Sequence, residues 1–306
     1  MKRRFSFIVS ISHLSALLLP ATVSAITIDG FSTTHNDRFA NDGAFVAADF
    51  DLSGVAFNDR WVTMLSPNVF ISATHFAPPV GSSFTFYAGN DPDGASVTRT
   101  VSSTNTQIGD TDIWLGTLEG YLPSNYATYN YATETISSGP GGPNSFSNSP
   151  YFEANAYVFG RSPSSWPTSQ NIAVGRNKLD QFFAGLTVDG ETGDAIGAIV
   201  NEPSDPNHVQ FEAQLQPGDS GGPLFVDHGS GTLTLVGISW FIGKNNQDQD
   251  LFGATYLGNY SDDINTWVAT HTIPEPRFYA LGFGLLALAL TCFRRIRGGK
   301  SAKTNS

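Results

Sequence analysis

The stretch Pro217-Gly-Asp-Ser-Gly-Gly-Pro-Leu224 decides how the rest of the chain is interpreted. A serine hydroxyl is a weak nucleophile that needs an adjacent base, and an acyl intermediate needs backbone N–H donors aimed at its oxyanion. The glycines that flank Ser220 allow a sharp, exposed turn. Gly218 has no side chain, so its N–H can point into the site beside that of Ser220. An ordinary glycine-rich turn explains shorter matches, but the eight-residue string is much more specific.

A candidate base stands in Val69-Phe-Ile-Ser-Ala-Thr-His75-Phe76, where an apolar strand ends in small residues and delivers a histidine. An imidazole titrates near neutral pH, which suits a general base. The other five histidines lie in the N-terminal leader, in polar turns or at the chain end.

A candidate carboxylate stands in Gly109-Asp-Thr-Asp112-Ile-Trp-Leu115. Such a group holds the tautomer of the base and stabilises its charged form. Asp112 directly precedes an apolar strand and can be partly buried. Asp110 is the alternative if the register differs by two residues.

Short apolar and β-branched runs, among them 113–118 and 209–213, are separated by Gly, Pro, Asn and Asp and predict an all-β chain, as in a sandwich or barrel. Residues 137–150 are rich in Gly and Pro and indicate a linker between two units, about 26–136 and 151–260. Ser261, followed by acidic residues and an apolar face, predicts one short helix near the C-terminal end, packed on the second unit.

Composition points to an exported protein. Residues 1–25 have a basic start, an apolar run and a small-residue cleavage site, typical of a secretory signal. Residues 26–272 hold 7 Lys+Arg against 26 Asp+Glu, which argues against nucleic acid and anionic membrane surfaces as partners. The single cysteine, Cys292, lies outside this part, so no disulfide, thiol nucleophile or cysteine-bound metal is expected there.

The C-terminal end carries a second apolar segment, 278–293, followed at once by an arginine cluster. An apolar run with a basic end fits a membrane-spanning segment whose basic end stays in the cytoplasm.

Together these strings resemble the trypsin-like (chymotrypsin-fold) serine proteases. The matches run in the family's order through Ile71-Ser-Ala-Thr-His75, Asp112-Ile-Trp-Leu115, Gly218–Leu224 and Val236-Gly-Ile-Ser-Trp240. The resemblance implies two antiparallel β-barrels, a triad of His75, Asp112 and Ser220 in the crevice between them, and an oxyanion hole made by the N–H groups of Gly218 and Ser220. It implies endopeptidase activity on protein or peptide substrates, with no cofactor and no metal.

The resemblance also assigns a substrate cleft to Gln214, Ser239, Trp240 and Phe241. Gln214 stands six residues before the nucleophile, where an aspartate would favour cleavage after Arg or Lys. Phe241 replaces the family's usual glycine and narrows the pocket. The family's disulfides are missing. We therefore expect a preference for small or uncharged side chains.

Many members of that family are activated when a new N-terminal amine pairs with the aspartate before the nucleophile, here Asp219. Signal cleavage after Ala25 would expose Ile26, but Ile26-Thr-Ile-Asp-Gly30 lacks the family's glycine pair. Buried ion pairs also lose solvation energy, so the sequence disfavours this pairing.

Residues 273–306, with Ile273-Pro-Glu-Pro276, the apolar span and the basic end, resemble the PEP-CTERM sorting tail of Gram-negative bacteria. That resemblance implies processing by an exosortase and a location at the cell surface or outside the cell, anchored by the tail before processing. A one-span anchor beside a proline-rich hinge is the alternative.

Two other functions compete with the protease. One is a catalytically silent protease-like module for surface binding, and the other is a matrix protein in which these motifs are accidental turns. The acidic loops 90–94 and 245–250 could bind calcium, but their composition favours solvated turns.

Overall fold

The computed structural model describes residues 24–137, 142–229 and 231–272. The strands are β1 (Thr27–Ile28), β2 (Val55–Phe57), β3 (Trp61–Met64), β4 (Val69–Ala73), β5 (Ser83–Tyr87), β6 (Ser96–Gln107), β7 (Ile113–Leu118), β8 (Asn130–Tyr131), β9 (Asn155–Gly160), β10 (Ala173–Lys178), β11 (Gln181–Val188), β12 (Glu191–Ile199), β13 (Ala213–Gln214), β14 (Pro223–Asp227), β15 (Leu233–Lys244) and β16 (Asp250–Tyr256). The α-helices are α1 (Thr33–Asn36) and α2 (Ser261–His271). Short 3₁₀ turns lie at Arg38–Ala40, Phe146–Asn148, Thr168–Gln170 and Gly258–Tyr260.

Six strands form the first sheet, in the order β2-β3-β4-β7-β6-β5 with antiparallel pairing between neighbours. The sheet curls until β2 lies against β5, which closes it into a barrel. Alternate side chains of a strand point to opposite faces. In β4, Phe70 therefore packs inside this barrel while Ile71 and Ala73 join a core that also contains Phe225 of the second sheet.

The second sheet has the order β10-β9-β14-β15-β16-β12-β11, with β8 added beside β15. The N-terminal strand β1 pairs with β13, where Thr27 faces Gln214, and β13 lies against β10 and β16. The expected division into units 26–136 and 151–260 therefore differs from the observed strand pairing at both ends of the first unit. Residues 27–28 and 130–131 fall within 26–136, yet they are hydrogen-bonded to strands of the second unit.

The all-β prediction with two barrels and a short C-terminal helix is confirmed, and β7 matches the expected run 113–118. A strand expected over 209–213 is wrong, because Phe211 turns the chain with φ 60° and only Ala213–Gln214 is extended. Helix α2 also contacts the first barrel, since Asn68 Nδ2 donates to the carbonyl of His271 at 2.9 Å.

The expected signal, apart from Ser24 and Ala25, lies outside the described residues, as do residues 138–141 of the expected linker and the whole tail 273–306. In the described ranges, no helix is both long and apolar enough to cross a bilayer.

Candidate active site

Strand pairing brings His75 and Asp112 together. β4 and β7 are antiparallel with Ala73 opposite Ile113, so the residues just after β4 meet those just before β7. His75 Nδ1 lies 2.9 Å from each carboxylate oxygen of Asp112, and the His75 backbone N–H donates to Asp112 Oδ1 at 2.9 Å. The side chain of Asp112 is fully buried, whereas that of His75 is 26% exposed. The carboxylate therefore fixes the ring and leaves its other nitrogen at the surface of the cleft.

The surroundings of His75 make it a stronger base. Burial acts to lower its pKa, but the hydrogen bond and charge of Asp112 outweigh burial, and the charges of Glu191 and Asp189 add to them. The pKa of His75 therefore lies above its ordinary value. A protonated imidazolium is stabilised here, as a general base requires after it has taken a proton.

The loop that carries Ser220 connects β13 to β14 and packs against β4. The Gly221 N–H donates to the carbonyl of Ser239 at 2.9 Å. Gly221 has φ 85°, and a β-carbon there would lie 2.9 Å from Ser72 Oγ and 3.3 Å from the Ala73 nitrogen. Only glycine fits both the conformation and the space. This close approach places the serine loop beside the strand that ends at His75.

Ser220 and His75 line one cavity of about 220 Å³, although they do not form a hydrogen bond with each other in this structure. The other lining residues are Val188, Asp189, Leu215, Gln216, Pro217, Ser239, Trp240, Phe241 and Ile242. In catalytic sites without a bound substrate, the bond between nucleophile and base is often long and tightens only when substrate binds. The cavity therefore holds the hydroxyl and the imidazole at a common open surface.

The backbone before Ser220 offers two donors. Gly218 has φ 103°, a conformation that side chains avoid. Within the described residues, neither the Gly218 N–H nor the Ser220 N–H donates a hydrogen bond, whereas the neighbouring Asp219 N–H is bonded to the carbonyl of Gln216 at 3.0 Å. Buried backbone N–H groups are nearly always paired, so donors without a protein partner are found where solvent or a ligand can reach them, as at these two partly exposed residues. A pair that flanks a serine can bind a developing oxyanion.

Asp219 is buried behind the loop. Its carboxylate accepts hydrogen bonds from the backbone N–H groups of Arg161 at 2.7 Å and Gln216 at 2.8 Å. Burial raises its pKa to about 7, against the lowering effect of those two hydrogen bonds and the charge of Arg161. The side chain holds the loop from behind and does not reach the cavity lining.

Three of the four residues expected in the substrate cleft line the cavity, namely Ser239, Trp240 and Phe241. Gln214 does not line the cavity, because it pairs with Thr27 in the two-stranded sheet. The two residues that follow it, Leu215 and Gln216, line the cavity instead.

The ring of Phe241 contacts the rings of Phe183 and Trp240, with centroids 5.5 and 5.7 Å away. It also covers Gly253, where a β-carbon would lie 2.2 Å from Phe241 Cε1. An aromatic ring therefore occupies the space over Gly253, at one side of the cavity.

The acidic loops considered for calcium use their oxygens within the protein. Asn90 Oδ1 accepts from Arg38, and the Lys244 ammonium lies 3.2 and 3.5 Å from carboxylate oxygens of Asp248 and Asp250. Within the described ranges, no three His, Cys, Asp or Glu side chains are arranged to hold a metal ion.

Sequence reasoning missed the contribution of the β11–β12 hairpin, whose Val188 and Asp189 line the cavity. The dipeptide Asp189-Gly190 between two runs that can form strands is the signal that could have revealed this turn.

No family model and no curated protein matches the chain. Among solved structures, it is similar to the murine norovirus NS6 protease, with a TM-score of 0.39 and 16% identity over 67% of this chain and 90% of that one. An inactive mutant of the same viral protease, extended at its C-terminus by residues of NS7, gives the same TM-score and identity over 93% of its length. The two barrels are defined by the strand pairing given above, independently of the similarity to the viral protease.

Proposed function

We propose that this protein is an exported serine endopeptidase. Ser220 attacks a peptide carbonyl, His75 takes its proton, and Asp112 stabilises the imidazolium. The N–H groups of Gly218 and Ser220 bind the oxyanion of the tetrahedral intermediate. His75 then returns the proton to the leaving amine, and water releases the acyl group by the same steps.

One observation carries the proposal. A histidine bonded at 2.9 Å to a fully buried aspartate shares an open cavity with a serine, and the N–H groups of that serine and of Gly218 donate to no group among the described residues. Base, orienting carboxylate, nucleophile and oxyanion donors are thus all supplied at one place.

The test is covalent labelling of purified residues 26–272 by a fluorophosphonate probe. We expect labelling of the wild type and none of Ser220→Ala. Ser103→Ala, which removes an exposed hydroxyl from β6, is the matched control and should label normally. A wild type that is folded by circular dichroism yet unlabelled would favour the silent binding module.

We further propose that the signal 1–25 directs export and that an exosortase processes the tail at residues 273–276, which releases the protein to the surface or medium of a Gram-negative cell. The support is the sequence pattern of the two ends. Intact-mass measurement of protein recovered from the cell exterior tests this. A mass that still includes the basic C-terminal segment would contradict processing and favour a permanent anchor.

A further inference from the structure

The walls of the active-site cavity carry an unbalanced charge. Of the eleven lining residues, Asp189 is the one with a carboxyl group, and no lysine or arginine is among them. The remaining walls are apolar or uncharged, apart from the titratable His75. A peptide that enters this cavity therefore meets a carboxylate close to the proposed nucleophile and base.

The hairpin that supplies this carboxylate is held in place. Asp189 and Gly190 form its two-residue turn, with φ 51° and 103°, as such turns require. The Thr192 N–H donates to the carbonyl of Asp110 at 2.8 Å, and a β-carbon on Gly193 would lie 3.6 Å from Thr111. The tip of a hairpin from the second barrel is thus fixed to the loop of the first barrel that precedes Asp112.

A second carboxylate in the same turn lacks a partner. Glu191 does not line the cavity itself, but among the described residues its Oε2 has no hydrogen-bond partner and is shielded from solvent. Within the described residues, neither Glu191 nor Asp189 forms an ion pair, and both lie near enough to His75 to raise its pKa. Removing a carboxylate oxygen from water without a partner is costly, and a cation brought by a ligand would reduce that cost.

We propose that the turn 188–191 is a substrate-recognition element, which we call the acidic turn. It selects peptides that carry a lysine or arginine within two residues of the bond that is cut. Asp189 binds that cation at the cavity wall, Glu191 adds a second negative charge beside it, and both repel a substrate with an acidic side chain in the same place. The proposal rests on the proposed peptidase function. It concerns a wall distinct from the one at Phe241, where an aromatic ring limits side-chain size.

Cleavage-site profiling tests the proposal. A library of peptides of known sequence is digested with residues 26–272, and the cut sites are read by mass spectrometry. We expect Lys or Arg within two residues of the cut to be favoured over Asp or Glu by roughly tenfold, as partly exposed charge pairs allow. The ratio should fall toward unity in Asp189→Asn/Glu191→Gln, and at about 0.5 M salt because exposed charges are screened.

The matched control is Glu119→Gln/Asp262→Asn, which removes the same net charge from exposed positions remote from the cavity. This pair should keep the wild-type ratio. Asparagine tolerates a positive φ, so Asp189→Asn is expected to fold, and an unchanged melting temperature verifies it. A wild-type ratio near unity, or an equal ratio in the acidic-turn variant, overturns the proposal.

The two proposals fail in different ways. If no peptide is cut, the peptidase proposal is wrong, and recognition is then measured by calorimetry. A lysine-containing peptide should bind Ser220→Ala about tenfold more tightly than the same peptide with glutamate, and this difference should vanish when Asp189→Asn and Glu191→Gln are added. Equal binding of the two peptides overturns the acidic turn as a recognition element whether or not hydrolysis occurs.

Discussion

Ile26 and Asp219 lie against the same face of Gly160. A β-carbon built at Gly160 would lie 2.6 Å from Ile26 Cβ and 2.8 Å from Asp219 Cγ. The Ile26 nitrogen donates to the carbonyl of Arg161 at 3.0 Å, and the N–H of the same arginine donates to Asp219 at 2.7 Å. The residue that signal cleavage after Ala25 would expose is therefore already beside the buried carboxylate behind the serine loop, although its nitrogen is bonded to Arg161 and not to Asp219.

We predict that a free amine at Ile26 stabilises the protein above neutral pH. In the uncut chain, burial raises the pKa of Asp219 to about 7, so its neutral form is favoured. The neutral carboxyl group therefore contributes to folding stability, and this contribution is complete below the ordinary carboxyl pKa and is lost as the pH rises through about 7. An ammonium at Ile26 would lower the pKa again and remove the loss. A chain that begins at Ile26 should be more stable at pH 8 than one that retains Ala25, by about 1–3 kcal/mol.

The measurement is urea unfolding of the two chains at pH 4 and pH 8. The difference should be small at pH 4, where Asp219 is largely neutral in the uncut form. N-acetylation of the chain that begins at Ile26 keeps its length and removes the charge, so it should abolish the gain. Equal stability of all three chains at pH 8 would contradict an ion pair.

Asp112 should control both the rate and the pH dependence of labelling. We expect Asp112→Asn to slow fluorophosphonate labelling by roughly 10³–10⁴-fold, because the imidazole loses its orientation and its charge partner. In the wild type the rate should rise with pH around a midpoint above 6.5, since the pKa of His75 is raised, and the variant's midpoint should be lower. Asp110→Asn is the matched control, and a comparable loss there would shift the assignment to Asp110.

Alanine substitutions at Gly221 and Gly229 should distinguish the cost of backbone strain from the cost of steric contact. Both have φ near 80°, but a β-carbon at Gly221 meets Ser72 Oγ at 2.9 Å while one at Gly229 meets nothing within 4 Å. Gly229→Ala should lose about 1 kcal/mol of stability and label normally. Gly221→Ala should lose more stability and most of its labelling, because the serine loop must shift away from β4. If the two variants lost the same amount of melting temperature and of labelling, the close contact between the serine loop and β4 would be unimportant.

Phe241 should limit the size of the side chain that the cavity accepts. Phe241→Ala removes the ring over Gly253, and kcat/KM for peptides with a large aromatic side chain at the cut should rise roughly tenfold relative to small ones. Phe152→Ala, at an exposed ring that does not line the cavity, is the control and should leave the ratio unchanged. An unchanged ratio in Phe241→Ala would place the specificity wall elsewhere.

Local patterns predicted much of the fold because they act over a few residues. The apolar run at 113–118 became β7 at the same bounds, and the polar turns between runs became loops. The strand expected over 209–213 failed because Phe211 adopts φ 60°, a conformation that its side chain gives no reason to expect. The pairing of β1 with β13 was also missed, since a two-residue strand carries no periodicity that a sequence can display.

Residue order alone specifies which chemical groups are present: a serine near glycines, a histidine after an apolar strand and an aspartate before another. Their roles follow from residue type and from the few neighbours that fix local backbone shape. The folded chain adds the contacts between distant residues: His75 bonds to Asp112, Ile26 lies beside Asp219, and the acidic turn borders the cavity. Such distances cannot be read from local patterns, because they depend on how the sheets curl and pack, and that packing is a property of the whole chain.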